Sequence, residues 1–416
     1  MKGKQKLRGI ALLPAALALT ILVALSLSGC FVTDFFFEGS GTTSATGDVT
    51  TVPYADTDTG NTVNTGTDES TAPEQTTGID IIPYTTEPAT TSAEPAVTFP
   101  DPLTGLSFET DYSLVRPAAI VIDNLSVAAP QNGLSRADIM IECLAEGGIT
   151  RLILITNKYS SNEVYGPIRS TRDYMVSLSQ AFGALMVGGG FSPTAGQMIA
   201  DNEFNYIDGV HDKYALSGFF RDISRYNSTG YEHSLMITGQ GIKALAGINN
   251  FAVTGSFEES PFRFASKATR PVKEAVGAEH IVLNYSEFQK VQLVYSRSQG
   301  VYYRYQFGTR PHIDADTGEQ LSFANLIVLF SDHVKIAGDD AGRLNVGTVG
   351  TGTGWFASGG AASPIVWERE TITSPIKITY ADGTEAVLSP GKTMISLFPA
   401  EYKDTLTRFN INLVSN

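Results

Sequence analysis

Ile139-Met140-Ile141-Glu142-Cys143-Leu144-Ala145-Glu146-Gly147-Gly148-Ile149-Thr150-Arg151-Leu152-Ile153-Leu154-Ile155-Thr156-Asn157 is the stretch that decides the fold. Two β-rich runs flank a glycine pair, which predicts a hairpin. In the first run Ile139, Ile141, Cys143 and Ala145 face one way, and Met140, Glu142 and Leu144 the other. Cys143 therefore reads as a small buried hydrophobe rather than a reactive thiol.

Upstream, residues 118–122 form a short apolar run between Pro117 and Asp123-Asn124, the pattern of a buried strand. Downstream, residues 170–182 fit a helix with Tyr174, Met175, Leu178 and Phe182 on one side. A short strand at 184–187 leads into Gly188-Gly189-Gly190-Phe191-Ser192-Pro193 and then a helix over 194–201. Ser192 is its expected cap and Pro193 its first residue. A further helix is predicted over 240–246. Alternating strands and helices predict an α/β or α+β domain over residues 99–250.

Residues 251–278 carry Pro261, Pro271 and mixed charge, and read as a connection. After it the pattern turns to strands. Runs at 291–295 and 301–307 flank Arg297-Ser298-Gln299-Gly300, and residues 326–330 are apolar. Residues 376–380 and 385–388 flank Asp382-Gly383, a hairpin signal. The region 279–416 is thus expected to be mostly β.

The N-terminal quarter is different in kind. Lys2, Lys4, Lys6 and Arg8 precede an apolar run from Ile10 to Leu27, so residues 1–29 read as an export signal. Its end, Leu27-Ser28-Gly29-Cys30, resembles the lipobox of bacterial lipoproteins. That resemblance implies acylation of Cys30, which becomes the mature N-terminus. An uncleaved membrane anchor is the other reading. Either one puts the rest of the chain at the extracytoplasmic face of the membrane. A two-chain lipid suffices for stable anchoring at about 0.8 kcal/mol per buried CH₂.

Residues 30–98 then read as a disordered tether, rich in Thr, Ser, Gly, Pro and acidic residues. Residues 31–100 hold eleven Asp/Glu and no Lys or Arg. As a coil of about 60 residues the stretch would span roughly 45 Å.

The whole chain has 416 residues, 17 % charged and 42 % hydrophobic, with 29 Lys+Arg against 43 Asp+Glu and a net charge of -14. It is too apolar to be wholly disordered. The charge speaks against nucleic acid as a partner. Two cysteines exclude a disulfide-stapled scaffold and a four-cysteine zinc site.

Several segments together resemble one family. They are Arg116-Pro117-Ala118-Ala119-Ile120-Val121-Ile122-Asp123-Asn124, Pro130-Gln131-Asn132-Gly133-Leu134-Ser135 and Ala137-Asp138-Ile139. With them go Glu146-Gly147-Gly148-Ile149-Thr150-Arg151, Gly166-Pro167-Ile168-Arg169-Ser170-Thr171-Arg172, Arg310-Pro311-His312-Ile313-Asp314 and Thr317-Gly318. Their number and order over residues 99–405 resemble the YerB-like lipoproteins. The resemblance implies architecture and location, and it transfers no catalytic residue. One departure is Tyr231-Glu232-His233-Ser234, where a Pro-His-Asn-like element is expected.

The best chemical candidate is an anion site. Gly188-Gly189-Gly190 leads into a helix capped by Ser192, and a helix N-terminus exposes N–H groups to an anion. Arg169 and Arg172, three apart on the expected helix, would point together, and Arg151 follows the hairpin turn. Arginine suits bidentate grip on phosphate or carboxylate. The structural alternative is that the glycines serve packing and the arginines pair with Asp123, Glu142 or Asp173.

Asp123, Glu142 and Glu146 form a second candidate, for acid–base chemistry on a glycan, against salt bridging to the same arginines. Asp314–Glu319 has a faint look of a calcium loop but fits a polar turn better. Gly347, Gly350, Gly352 and Gly354 before Trp355 read as a mobile loop or, better, a long hairpin. The five histidines are dispersed, and no metal site or cofactor motif is read.

Three functions follow in order. The first is a binding or scaffold lipoprotein for an anionic small molecule, a cell-wall fragment or an envelope protein. The second is a purely structural envelope protein. The third is an envelope hydrolase acting on wall polymers through Asp123, Glu142 or Glu146.

Overall fold

The hairpin is present, and a sheet is built on both of its edges. The computed structural model describes residues 97–159, 161–257 and 261–412. The export signal, Cys30 and nearly all of the expected tether lie outside them. The described residues fall in one compact unit.

Its spine is an eleven-stranded mixed sheet. In chain order the strands are β1 (Ala118–Asp123), β2 (Ile139–Leu144), β3 (Thr150–Thr156), β4 (Leu185–Gly188) and β5 (Tyr206–Asp208). They continue with β6 (Val276–Gly277), β7 (Asn325–Ser331), β8 (Gly350–Ser358), β9 (Ala361–Arg369), β10 (Lys377–Thr379) and β11 (Thr393–Pro399). Across the sheet the order is β6-β9-β8-β7-β11-β2-β3-β1-β4-β5, with β10 also on β9. β11 pairs in parallel with both β7 and β2, so one sheet runs through both sequence regions. β1, β4 and β5 are mutually parallel, and β3 runs against its neighbours β2 and β1.

β1, β2 and β3 are buried along their whole length. A strand covered on both faces is mostly apolar, which is why these runs are rich in Ile, Leu, Val and Ala, with Glu142, Asp123 and Arg151 as buried charges. One face carries Ile122, Met140, Leu152 and Leu154. A six-stranded antiparallel sheet covers part of it, with Leu283, Leu293 and Tyr302 in the shared core. The other face carries Val121, Ile141, Cys143 and Ile153, packed with Tyr174, Met175 and Leu178 of α1 (Asp173–Gln180). The alternation expected for residues 139–145 holds, and Cys143 is fully buried. Burial pushes its thiol far up, leaving no thiolate for chemistry.

The predicted cap is also present. α2 (Pro193–Asp201) begins at the proline, with Ser192 Oγ accepting from Ala195 N at 3.2 Å. Two more helices follow, α3 (Ile223–Thr229) and α4 (Gly239–Ile248). α1 is shorter than expected because residues 169–171 are spent on the sheet. Arg169 N donates to Val121 O, and Thr171 N to Gly190 O. Arg169 therefore precedes the helix and Arg172 is its N-cap, so the two do not share a helix face.

Gly350, Gly352 and Gly354 lie in strand β8, which pairs antiparallel with β9 as the long hairpin expected there, and Gly347 lies before it. A β-carbon on Gly354 would stand 2.1 Å from Val328 O on the neighbouring strand, so only glycine fits there. Asp314 is fully buried and accepts from Ser135 N at 2.6 Å and Gly133 N at 3.2 Å. The segment after it is a polar turn that ties the C-terminal region to the N-terminal one.

Glu142 faces the other side of the sheet from Asp123 and is fully buried. Its Oε2 accepts from Arg304 Nη2 at 2.7 Å, and Oε1 from Thr150 Oγ1 at 2.8 Å and Asn124 Nδ2 at 3.1 Å. Arg304 is likewise fully buried. Removing one partner of such a pair leaves an uncompensated charge, at a cost of about 3–5 kcal/mol. Glu142→Gln is expected to lose that much in urea unfolding. The double variant Glu142→Leu/Arg304→Met should lose less than the two single changes summed. A Glu142→Gln chain as stable as wild type would contradict the account.

Candidate functional site

The carboxyl ends of β1, β4 and β5 lie side by side, and each ends on a residue with chemistry. In open sheets with parallel strands this edge is where ligands bind. β1 ends on Asp123, β4 on Gly188 and β5 on Asp208. The reversed strand β3 brings Arg151 to the same edge, directly opposite Asp123.

Asp123 is 2 % exposed. Its Oδ2 accepts from His233 Nδ1 at 2.7 Å, and its Oδ1 from Leu125 N at 3.0 Å. Arg169 Nε lies 3.6 Å from the same Oδ2. Burial pushes this carboxyl up. The His233 hydrogen bond, the Arg169 charge and the Leu125 N–H together outweigh burial and hold it below the usual range. Arg169 also donates through Nη1 to Glu232 O at 3.0 Å and Glu232 Oε2 at 3.2 Å.

Arg172 grips Glu146 with two parallel bonds, Nη2 to Oε2 at 2.9 Å and Nε to Oε1. Glu146 sits in the hairpin turn. Burial raises its carboxyl, but the Arg172 bonds and the Arg151 charge bring it below the usual range. Arg151 is 4 % exposed. Its Nη1 donates to Ser170 O, its Nη2 is 3.8 Å from Glu146 Oε2, and its Nε is buried with no partner among the described residues. Burial first, then the Arg172 and Arg169 charges, lowers this guanidinium to about 10.

The glycine turn is already occupied by the protein's own groups. Gly190 N donates to Asp208 Oδ1 at 2.9 Å, and Gly189 N to Arg169 O at 3.0 Å. Gly190 has φ +79°, which few side chains tolerate, and a β-carbon on Gly188 would stand 2.2 Å from Tyr206 Oη. Asp208 Oδ2 accepts from His211 Nδ1 at 2.7 Å. The expected anion cradle at Gly188, Gly189, Gly190 and Ser192 is thereby corrected. The N–H groups of Gly190, Gly189 and Ser192 serve Asp208, Arg169 O and Thr171 O, and the glycines serve turn and packing.

Glu142 is withdrawn from acid–base work, sealed on the opposite face with Arg304. Asp123 and Glu146 do reach the site, but as depressed carboxylates holding His233 and Arg172. Sequence reading quoted Glu232 and His233 only as a departure from the family's pattern, gave His211 no role and passed over Asp208. Asp208 and His211 are three apart and could have been read as a local pair. Asp123 and His233 are 110 residues apart and could not. Among the described residues no group of His, Cys, Asp or Glu is arranged to hold a metal ion.

Comparison with known proteins places this chain in a family. Residues 103–252 match the N-terminal domain, and residues 281–395 the C-terminal domain, of the protein family of unknown function DUF3048. A Bacillus subtilis protein named "Putative lipoprotein YerB" is 31 % identical over 305 residues, 72 % of this chain and 86 % of the relative. The crystal structure of YerB from Bacillus subtilis superposes with a TM-score of 0.63 at 28 % identity, covering 76 % of this chain and 99 % of that one. The chain belongs to the YerB-like DUF3048 family, with its two domains sharing one sheet here.

Asp123 and Glu146 bind their protons more weakly folded than unfolded. They therefore contribute stability above the ordinary carboxylate range, near pH 4, that is lost as pH falls through their depressed values. Unfolding midpoints should fall steeply below about pH 4. Glu146→Gln should flatten that acid limb. An identical limb in the variant would refute the pairing.

Proposed function

We propose that this chain is an extracytoplasmic, lipid-anchored binding or scaffold protein with an anion subsite at Arg151 and Arg169. The lipobox-like Leu27-Ser28-Gly29-Cys30 and the naming of the Bacillus subtilis relative as a lipoprotein support the anchor. The observation that carries the subsite is the Arg151 guanidinium. It is buried, its Nε is unpartnered, and two further guanidinium groups lie close enough to lower it. Crowded cations are relieved by an anion, and a phosphate or carboxylate supplies the charge and the acceptors to do so. Cell-wall fragments and acidic envelope partners carry the same chemistry. A structural role is favoured for Arg172 alone, by its bidentate hold on Glu146.

The test is thermal unfolding of the full chain in detergent with inorganic phosphate, acetate and chloride. Phosphate at about 100 times its Kd should add about 2.7 kcal/mol. Arg169→Gln should abolish the gain, and Arg172→Gln should only lower the starting stability. No gain with phosphate, or the same gain in Arg169→Gln, would overturn the subsite.

A further inference from the structure

Two carboxylate–imidazole pairs stand at this edge, and anion binding alone uses neither. Asp123 ends β1 and holds His233 Nδ1, while Asp208 ends β5 and holds His211 Nδ1, each at 2.7 Å. Between them β4 runs into Gly189-Gly190, clipped to Arg169 and Thr171. A β-carbon on Gly190 would stand 3.3 Å from His211 Cε1 and 3.8 Å from Ser170 Oγ, so the His211 ring and the Ser170 hydroxyl both lie against this turn. On the other side, Arg169 lies against Asp123 and thus beside His233. The segment Arg169-Ser170 therefore has an imidazole on each flank.

A carboxylate on Nδ1 fixes the tautomer and leaves Nε2 to work. Neither Nε2 has a hydrogen-bond partner among the described residues. The structural histidine of this protein is different. His312 is fully buried and bonded through both nitrogens, to Arg304 and Gln131.

We propose that His233 and His211 form a general acid–base site that hydrolyses phosphodiesters, with Arg169 holding the non-bridging oxygens. This rests on the anion subsite proposed above. In-line displacement at phosphorus puts the entering and leaving oxygens at opposite apices, so base and acid must flank the anion. Acyl esters fit worse. Their oxyanion needs preorganised N–H donors, and those of Gly189 and Gly190 are already taken.

In the reaction His233 Nε2 takes a proton from water as the water oxygen bonds to phosphorus. The bond from phosphorus to the leaving oxygen breaks, and protonated His211 gives its Nε2 proton to that oxygen. A monoester and an alcohol result, and the two imidazoles return to their starting states by exchange with solvent. Asp123 and Asp208 act as positioning residues.

The probe is bis(para-nitrophenyl) phosphate with the full chain in detergent, read as released para-nitrophenolate. Wild type should turn it over. His233→Gln and His211→Gln should each lower kcat by about a hundred-fold or more, while inorganic phosphate still raises Tm. Asp123→Asn should lower kcat with KM unchanged, and Arg169→Gln should raise KM. His211 has a side chain 60 % exposed, so its variant tests chemistry without disturbing the core. A wild type that gains stability from phosphate yet releases no para-nitrophenolate overturns the hydrolytic site and leaves the anion subsite standing. Full activity in both histidine variants also overturns it. Absence of any phosphate effect is instead the failure of the subsite.

Discussion

Strand β11 is hydrogen-bonded in parallel on both edges, to β7 from Asn325↔Thr393 to Ser331↔Pro399 and to β2 from Ile139↔Thr393 to Cys143↔Leu397. Every backbone group of a buried strand must find a partner, and β11 finds its partners in both family domains. Neither domain can leave without exposing a sheet edge through the middle of the core. The Glu142–Arg304 pair lies on one face of the same seam, with its remaining lone pairs bonded to Thr150 and Asn124. Those bonds offset part of the desolvation of two buried charges, while Arg304 Nε is buried without a partner among the described residues.

The site follows from this seam. With β2 and β3 locked in the middle of the sheet, β1, β4 and β5 are stacked outward in parallel and their carboxyl ends come level. Asp123 and Asp208 then stand on either side of the glycine turn. Reversed β3 delivers Arg151 to the same edge. Charges that would be worth little on an open surface are held here with low exposure, where an arginine cannot shed its charge and must be answered by carboxylates or by a bound anion. Glu146 answers Arg172 with both oxygens, whereas Arg151 is answered only at 3.8 Å.

Much of the fold was legible because its signals are local. Ser192-Pro193 marks a helix start, and Glu146-Gly147-Gly148 marks a turn. The alternation of residues 139–145 assigns Cys143 to an apolar face. α3 and the short strands Phe219–Arg221 and Leu235–Thr238 were not legible, being too short to establish a period. Nor was the insertion of β11 beside β2, which joins residues some 250 apart in sequence. The candidate site was legible only in part. Arg151, Arg169, Arg172, Asp123 and Glu146 do converge, but through turns and an extended segment rather than a shared helix. Glu142 was misplaced because strand alternation, which correctly set it opposite Cys143, also carries it to the face away from Asp123. The pairing of His233 was missed because topology supplies its partner Asp123, whereas that of His211 with Asp208 is local and could have been read.

The central claim is that an anion is held where β1, β4 and β5 end. The five histidines report on it directly, since two stand at that edge and His280, His312 and His333 stand elsewhere. Imidazole nitrogen NMR of the histidine-labelled full chain, titrated with inorganic phosphate, reads each ring separately. The account predicts saturable shifts confined to the His211 and His233 signals. Shifts only at the other three rings, or none at any ring, would contradict it.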